Sequence, residues 1–475
     1  RLATVASLVI GSSAYATGTL PDRTWSPVEL GRFTVPAMRS GDALNQPLVV
    51  DGYLLLAGNG SHSLWDIADP YAPRQLSHFR SDHADGEAES HQVAVARSAD
   101  GRTRLVTISG RGVDLWDVTD ASLPVYLAAV EIDGVDYGDN THAVWGVAWV
   151  GDYVYVGGTN TGLHIVDVSD PASPRVVSRV STSELGGVSA GPLWVVGNLL
   201  VVTTPKEFQG IATLDITNPG TPTVLDFEVP AQKSYIGGFY GAHAYLISPI
   251  RVYDVTTDPR NITLVSETAT PNTEYLTFAD DIMFLGSMRP DPGAFLVDVA
   301  DPAAPAIVGK VDGRRDDIFG GVLTDDQFVF PIGNLLVLAD DERRIGATMS
   351  PWQSARETTP PRVLYANPPA GATRQGVTSR IGVSFSDQLD LRSVDTSSFV
   401  VRPLGGAPIP GSWAHNQTVV NFAPSTPLLP NTTYEIVLPA GGVKDLMGNP
   451  IATEFRSTFS TGDDVAALPC RIDRK

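Results

Sequence analysis

Ile165-Val166-Asp167-Val168-Ser169-Asp170-Pro171, followed by Pro174, is a short apolar strand that ends in Asp and runs into a turn. The pattern stands upstream as Leu64-Trp65-Asp66-Ile67-Ala68-Asp69-Pro70 and as Leu115-Trp116-Asp117-Val118-Thr119-Asp120. Downstream it returns as Leu214-Asp215-Ile216-Thr217-Asn218-Pro219, as Val252-Tyr253-Asp254-Val255 leading to Asp258-Pro259, and as Leu296-Val297-Asp298-Val299-Ala300-Asp301-Pro302. Leu335-Leu336-Val337-Leu338-Ala339-Asp340 reads as a degenerate seventh copy. Successive copies lie roughly 39 to 51 residues apart, the length of one four-stranded propeller blade.

The rest of each repeat supports that reading. Two β-rich runs around a tight turn precede each signature, as in Val49-Val50-Asp51-Gly52-Tyr53-Leu54. Further turns fall at Asp100-Gly101, Gly151-Asp152, Gly197-Asn198, Asp280-Asp281 and Asp325-Asp326, residue types that tolerate the positive φ of a hairpin. The sequence therefore predicts an all-β chain whose first part is a seven-bladed β-propeller over residues 27–347. Residues 28–35 are expected to complete the last blade, as an outer strand beside Leu335–Asp340. The repeated aspartates read as turn chemistry rather than as functional groups.

Seven copies of this signature resemble the LVIVD-repeat family of bacterial surface and secreted propellers. The resemblance implies a fold and an extracellular setting, but no uniform activity. After a linker expected at 348–358, apolar and polar residues alternate in short runs, as in Thr433-Tyr434-Glu435-Ile436-Val437-Leu438. Alternation of this kind indicates a β-sandwich. Phe385-Ser386 before Leu389-Asp390, Leu429-Pro430-Asn431, Asp445-Leu446-Met447-Gly448-Asn449 and Phe459-Ser460-Thr461-Gly462 resemble the bacterial Ig-like domains of S-layer and other surface proteins. That resemblance covers 359–462, leaves 463–475 as a tail, and implies a spacer or adhesive module without catalytic residues. The Pro- and Thr-rich stretch near residue 358 predicts two separable domains.

Composition narrows the functions. The formal net charge of −20 disfavours nucleic acid and anionic membrane surfaces as partners. The single cysteine, Cys470, allows no internal disulfide. Arg1, the apolar run Leu2–Gly11 and Ala14-Tyr15-Ala16 read as the remnant of a secretory signal over 1–16, too short to span a bilayer. No catalytic motif is present.

Strand direction puts the hairpin and Asp-Pro turns on one face of a propeller and the longer, more varied loops on the other. Candidate ligand-binding residues on the long-loop face are His91, His142, Asp139, Glu89, Lys206, Arg289 and Arg314, with Arg315 beside the last. His91 and His142 each precede an innermost strand, which predicts that they share the channel mouth. No cofactor is fixed by the sequence; the two histidines could hold a transition metal and the acidic loops calcium. The leading expectation is a secreted or cell-surface binding or adhesion protein for an extracellular protein or carbohydrate, the Ig-like domain acting as spacer to a wall or to further domains. The alternative is a metal-dependent propeller enzyme, a hydrolase or oxidoreductase, with its site at that mouth.

Overall fold

The computed structural model describes residues 15–24, 38, 44–80, 88–205, 208–230, 233–234, 236–287, 290–313, 325–341 and 346–463. Among them there is no α-helix, and strands joined by turns make up the whole architecture. Six units of four antiparallel strands follow one another from Leu44 to Asp312, each strand hydrogen-bonded to the next in sequence. A three-stranded unit comes after them. The first strands of successive units pack against each other, from Ala94–Arg97 against Gly146–Val150 through to Phe328–Ile332 against Leu44–Val50. That last contact, with Leu44 N donating to Asp340 O at 2.9 Å, closes the ring. This is a β-propeller.

The signature forms the third strand of each four-stranded unit and the turn that leaves it. Oδ1 of the signature aspartate accepts the backbone N–H two residues on in all six: Asp66 from Ala68, Asp117 from Thr119, Asp167 from Ser169, Asp215 from Thr217, Asp254 from Thr256 and Asp298 from Ala300. The Asp of the following Asp-Pro pair repeats the device, Asp170 accepting from Ala172 at 3.1 Å and Asp301 from Ala303 at 2.9 Å. A register shift falls at the same place in every third-to-fourth strand pair, for example between Ile165 and Val166 and between Leu296 and Val297. Such bulges strengthen the right-handed twist of each unit.

The last unit differs from its sequence reading. Leu335–Ala339 is the middle strand, not the third, because the hairpin turn is Gly333-Asn334 rather than Asp325-Asp326. Phe328–Ile332 pairs on one edge and Ala347–Pro351 on the other, so no edge remains for residues 28–35. Residues 28–35 lie outside the described residues. The nearest described contact is an antiparallel bridge, in which Met38 N donates to Ala347 O at 2.9 Å and Ala347 N donates to Met38 O at 3.2 Å. The expected linker of 348–358 is likewise corrected, since its first residues belong to the strand Ala347–Pro351.

The C-terminal part is a β-sandwich. One sheet holds Ala372–Gln375, Phe455–Thr461, Thr433–Leu438 and Val400–Pro403. The facing sheet holds Val363–Asn367, Ile381–Phe385, Val419–Pro424 and Gly411–Asn416. Phe385, Phe399, Phe422, Tyr434, Ile436 and Phe459 fill the space between them.

The two domains are not separate. Gly411–Asn416 pairs antiparallel with Ala94–Arg97 of the propeller, in register Trp413 to Arg97, Ala414 to Ala96 and His415 to Val95. Half of the sandwich and one propeller unit thereby become a single eight-stranded sheet. An extended innermost strand has unpaired N–H and C=O groups along its free edge, and the sandwich satisfies them.

Candidate functional site

The hairpin made by Gly411–Asn416 and Val419–Pro424 lies among the innermost strands of the propeller, and at its tip Gln417 and Thr418 are buried. Asn416 Nδ2 donates to Leu193 O at 3.2 Å, and Gln417 Nε2 to Leu276 O at 3.3 Å. Deeper in the sandwich, Asn421 Nδ2 donates to Val195 O at 2.7 Å while its Oδ1 accepts from Gly197 N at 2.8 Å. Around the rim, the turns that join first to second strands meet the sandwich one after another. Asp280 N donates to Ser386 O at 2.6 Å, Asn198 N to Asn367 Oδ1 at 3.1 Å, and Arg362 pairs with Asp281 at 2.6 Å. The Ig-like domain therefore caps the hairpin-turn face and fills the channel from that side.

Beyond the tip, Gln417, Gln92, Trp194, Tyr275 and His91 enclose a space of ≈ 10 Å³, room for one water at most. His91 is buried there, its ring stacked on Trp145 at a centroid distance of 3.8 Å and near Tyr275 at 5.9 Å. Its Nε2 lies 2.7 Å from Glu89 Oε2, without hydrogen-bond alignment. Glu89 also takes a hydrogen bond from Tyr137, whose hydroxyl is raised by burial and by the Glu89 charge.

His142 has a different setting. Its side chain is 45% exposed, and Nδ1 lies 2.8 Å from Asp139 Oδ2. Asp139 also accepts the Thr141 hydroxyl and backbone N–H, and these bonds, with the one from His142, pull its carboxyl down to about 2. The two histidines are thus held by separate carboxylates, one in a dry aromatic stack and the other at the surface. Lys206, Arg289, Arg314 and Arg315 lie outside the described residues, as do Asp82–Glu87 of the acidic loop and Cys470.

Among the described residues, the one group of three side chains close enough to share a cation contains neither histidine. It is Asp280, Glu357 and Asp387, with one carboxylate oxygen from each lying within 4.8 Å of the others. Asp280 comes from a propeller turn and the other two from the sandwich side, so the group straddles the interface. Burial, then the neighbouring carboxylates, pushes Asp280 up to about 7. Burial raises Asp445, close by, to about 6, against the hydrogen bonds it accepts from Asn449 and Met447. Asp387 is raised well above its ordinary value, first by burial.

Sequence reasoning missed this cluster and the inserted hairpin. Asp387 of the cluster and the neighbouring Asp445 stand in the segments that resemble Ig-like domains, so part of the site was in view. Its propeller partner, Asp280, was read only as a turn residue. A position with φ of +50° suits Asp sterically, whatever the side chain then faces.

Residues 357–461 match the family model of the bacterial Ig-like domain, and residues 143–182 match that of the LVIVD repeat. The chain carries an LVIVD repeat and a bacterial Ig-like domain. No curated protein matches it in sequence. Among solved structures, the computationally designed Ika8 protein is similar at 13% identity and a TM-score of 0.43, over 67% of this chain and 98% of that one. The β-propeller domain of Myceliophteria thermophila Cps50 (Swd1) is similar at 14% identity and 0.44, over 72% and 100%. The Neurospora crassa Pan2 WD40 domain is similar at 12% identity and 0.45, with the same coverage. The LVIVD match falls on the third unit, where the signature is least degraded, and the Ig-like match includes both strands of the inserted hairpin.

Proposed function

We propose that this LVIVD and Ig-like chain is an exported binding protein, secreted or held at the cell surface, that takes an extracellular protein or carbohydrate on the long-loop face of its propeller. One observation carries the reading: the Ig-like domain covers the hairpin-turn face and fills the channel, which leaves the opposite face as the broad loop-bearing surface. Function on rigid scaffolds concentrates in such loops. The loop Asp133–His142 on this face is held by internal hydrogen bonds, with Asp136 N donating to His142 O and His142 N to Asp139 O. Among the described residues no helix is long and apolar enough to cross a membrane.

Two measurements test the proposal. Residues 1–16 fused to a phosphatase active only outside the cytoplasm should give active enzyme; inactive fusions would remove the export step. The purified chain should bind in an array of extracellular polysaccharides and matrix proteins, and replacing 133–142 with a Gly-Ser loop should abolish the signal. Binding that survives the replacement unchanged would place the ligand elsewhere.

A further inference from the structure

A cleft of ≈ 370 Å³ lies away from the long-loop face, between the sandwich and the second, third and fourth propeller units. Arg380 forms part of its wall. That side chain belongs to a residue only 8% exposed, at the start of a sandwich strand. Nη1 donates to Thr378 O at 2.8 Å, while Nε has no acceptor. Among the described residues no carboxylate comes within ion-pair distance of this guanidinium; Asp152, the acid in the lining, acts on it only at longer range. A buried cation ordinarily has a partner, because burial without one is costly. Its other neighbour of note is the Tyr153 ring, 6.0 Å from the guanidinium carbon, so in a chain of net charge −20 this nine-tenths buried arginine faces a π face and no anion.

The rest of the lining defines the anion. Arg104 brings a second guanidinium, 3.8 Å from Asp100 and 20% exposed. Ser412, Ser425 and Thr426 supply hydroxyls that make no hydrogen bond among the described residues. Trp149 and Pro424 give apolar wall. The volume is in the range of small-molecule sites and exceeds what a bare inorganic ion fills. A planar guanidinium matches a carboxylate, and free hydroxyls beside an apolar wall match a ring with polar edges and a C–H face.

We propose that this interdomain cleft binds a sugar acid, its carboxylate on Arg380 and Arg104 and its ring hydroxyls on Ser412, Ser425 and Thr426. The site stands apart from the long-loop face and does not depend on a ligand there. Its wall comes from both domains, so ligand binding also favours the docked arrangement.

Isothermal titration calorimetry on the full chain tests this with four probes: glucuronate, a galacturonate trimer, glucose and sulfate. The expected result is binding of the sugar acids and none of glucose, with sulfate at least about tenfold weaker. R380Q should weaken glucuronate by about tenfold to a hundredfold, the range for a lost charged hydrogen bond. R104Q, at the more exposed residue, should show a smaller loss in the same direction, and decides the matter if R380Q fails to fold. R74Q, at an exposed arginine on the outer strand of the first unit, should leave the affinity unchanged. A trimer binding more tightly than the monomer assigns the site to the end of an acidic polysaccharide; equal binding assigns it to the free sugar acid. Sulfate binding as tightly as glucuronate, glucose binding as tightly, full affinity in R104Q and folded R380Q, or no heat at about 10 mM ligand, a level at which even a weak site fills, would each overturn the proposal.

Discussion

Asn421 of the Ig-like domain and Gly197 of a propeller turn are joined by a 2.8 Å hydrogen bond, with Asn421 Oδ1 accepting from Gly197 N. The same amide donates to Val195 O at 2.7 Å, so one side chain spans both ends of a tight turn in the other domain. Both backbone groups are buried and would be orphaned without it. N421A should lower stability by about 2 kcal/mol, within the range for stranding buried polar groups, as read from the urea midpoint. An unchanged midpoint would mean that water replaces the amide.

Sandwich and propeller should unfold together. A sheet that runs through both domains, with a hairpin buried in the channel, leaves little that can open by itself. Calorimetry should show one transition, and limited proteolysis should not release the two domains as intact fragments. Two resolved transitions would restore the separable arrangement that the Pro- and Thr-rich stretch suggests from sequence.

Gly382 makes the approach of the domains possible. A Cβ at this residue would lie 2.0 Å from Gly197 N and 2.5 Å from Val196 C, both backbone atoms in the other domain. Neither atom can swing aside as a side-chain end can. G382A should cost at least about 1–3 kcal/mol, as overpacking does, and should expose the channel to proteases. Wild-type stability in G382A would show that the interface slides freely.

The interfacial carboxyls give stability a pH slope of known sign. Asp280, raised to about 7, and Asp445, raised to about 6, hold protons in the folded state that they lose near pH 4 when unfolded. The folded chain therefore binds more protons between roughly pH 4 and pH 7, and stability falls as pH rises through that window. Melting temperatures taken with a chelator present should decline from about pH 5 to about pH 8. D280N, which keeps a residue suited to the positive φ, should flatten the decline. A wild-type profile that rises over this range would contradict it.

D167N tests the structural role of the signature. Asp167 accepts from Ser169 through Oδ1 and pairs with Arg175 at 2.7 Å through Oδ2. The variant should lose about 1 kcal/mol by loosening one turn, with no change in any ligand affinity. A selective loss of binding at full stability would assign the repeat a function.

What was legible in the sequence follows from how far each interaction reaches. The signature turns are made between residues two apart, as in Asp117 to Thr119, so their chemistry is printed in the local sequence and recurs visibly. The last unit was misread by one strand because Leu335–Ala339 has the apolar run of a signature without its aspartate. Only that turn chemistry separates a third strand from a second. The pairing of Ala414 with Ala96 uses backbone groups that every residue has, and a strand bound for another domain alternates like any sandwich strand. Arg380 and Asp280 meet groups of the other domain, Tyr153 and Asp152 for the one and Glu357 and Asp387 for the other, and nothing in the local sequence announces them.

The hairpin that fills the channel has a bearing on biosynthesis. Its residues, 411–424, are translated after all those of the ring that receives it. Domains tend to fold in the order in which they emerge. For some seconds at ordinary elongation rates the ring strands are made but the hairpin is not, so the backbone N–H and C=O groups along Ala94–Arg97 lack the strand that later pairs with them. During that interval the chain is open to capture by any other extended polypeptide. The ring is thus complete in its final form only once the last of its packed strands has been made.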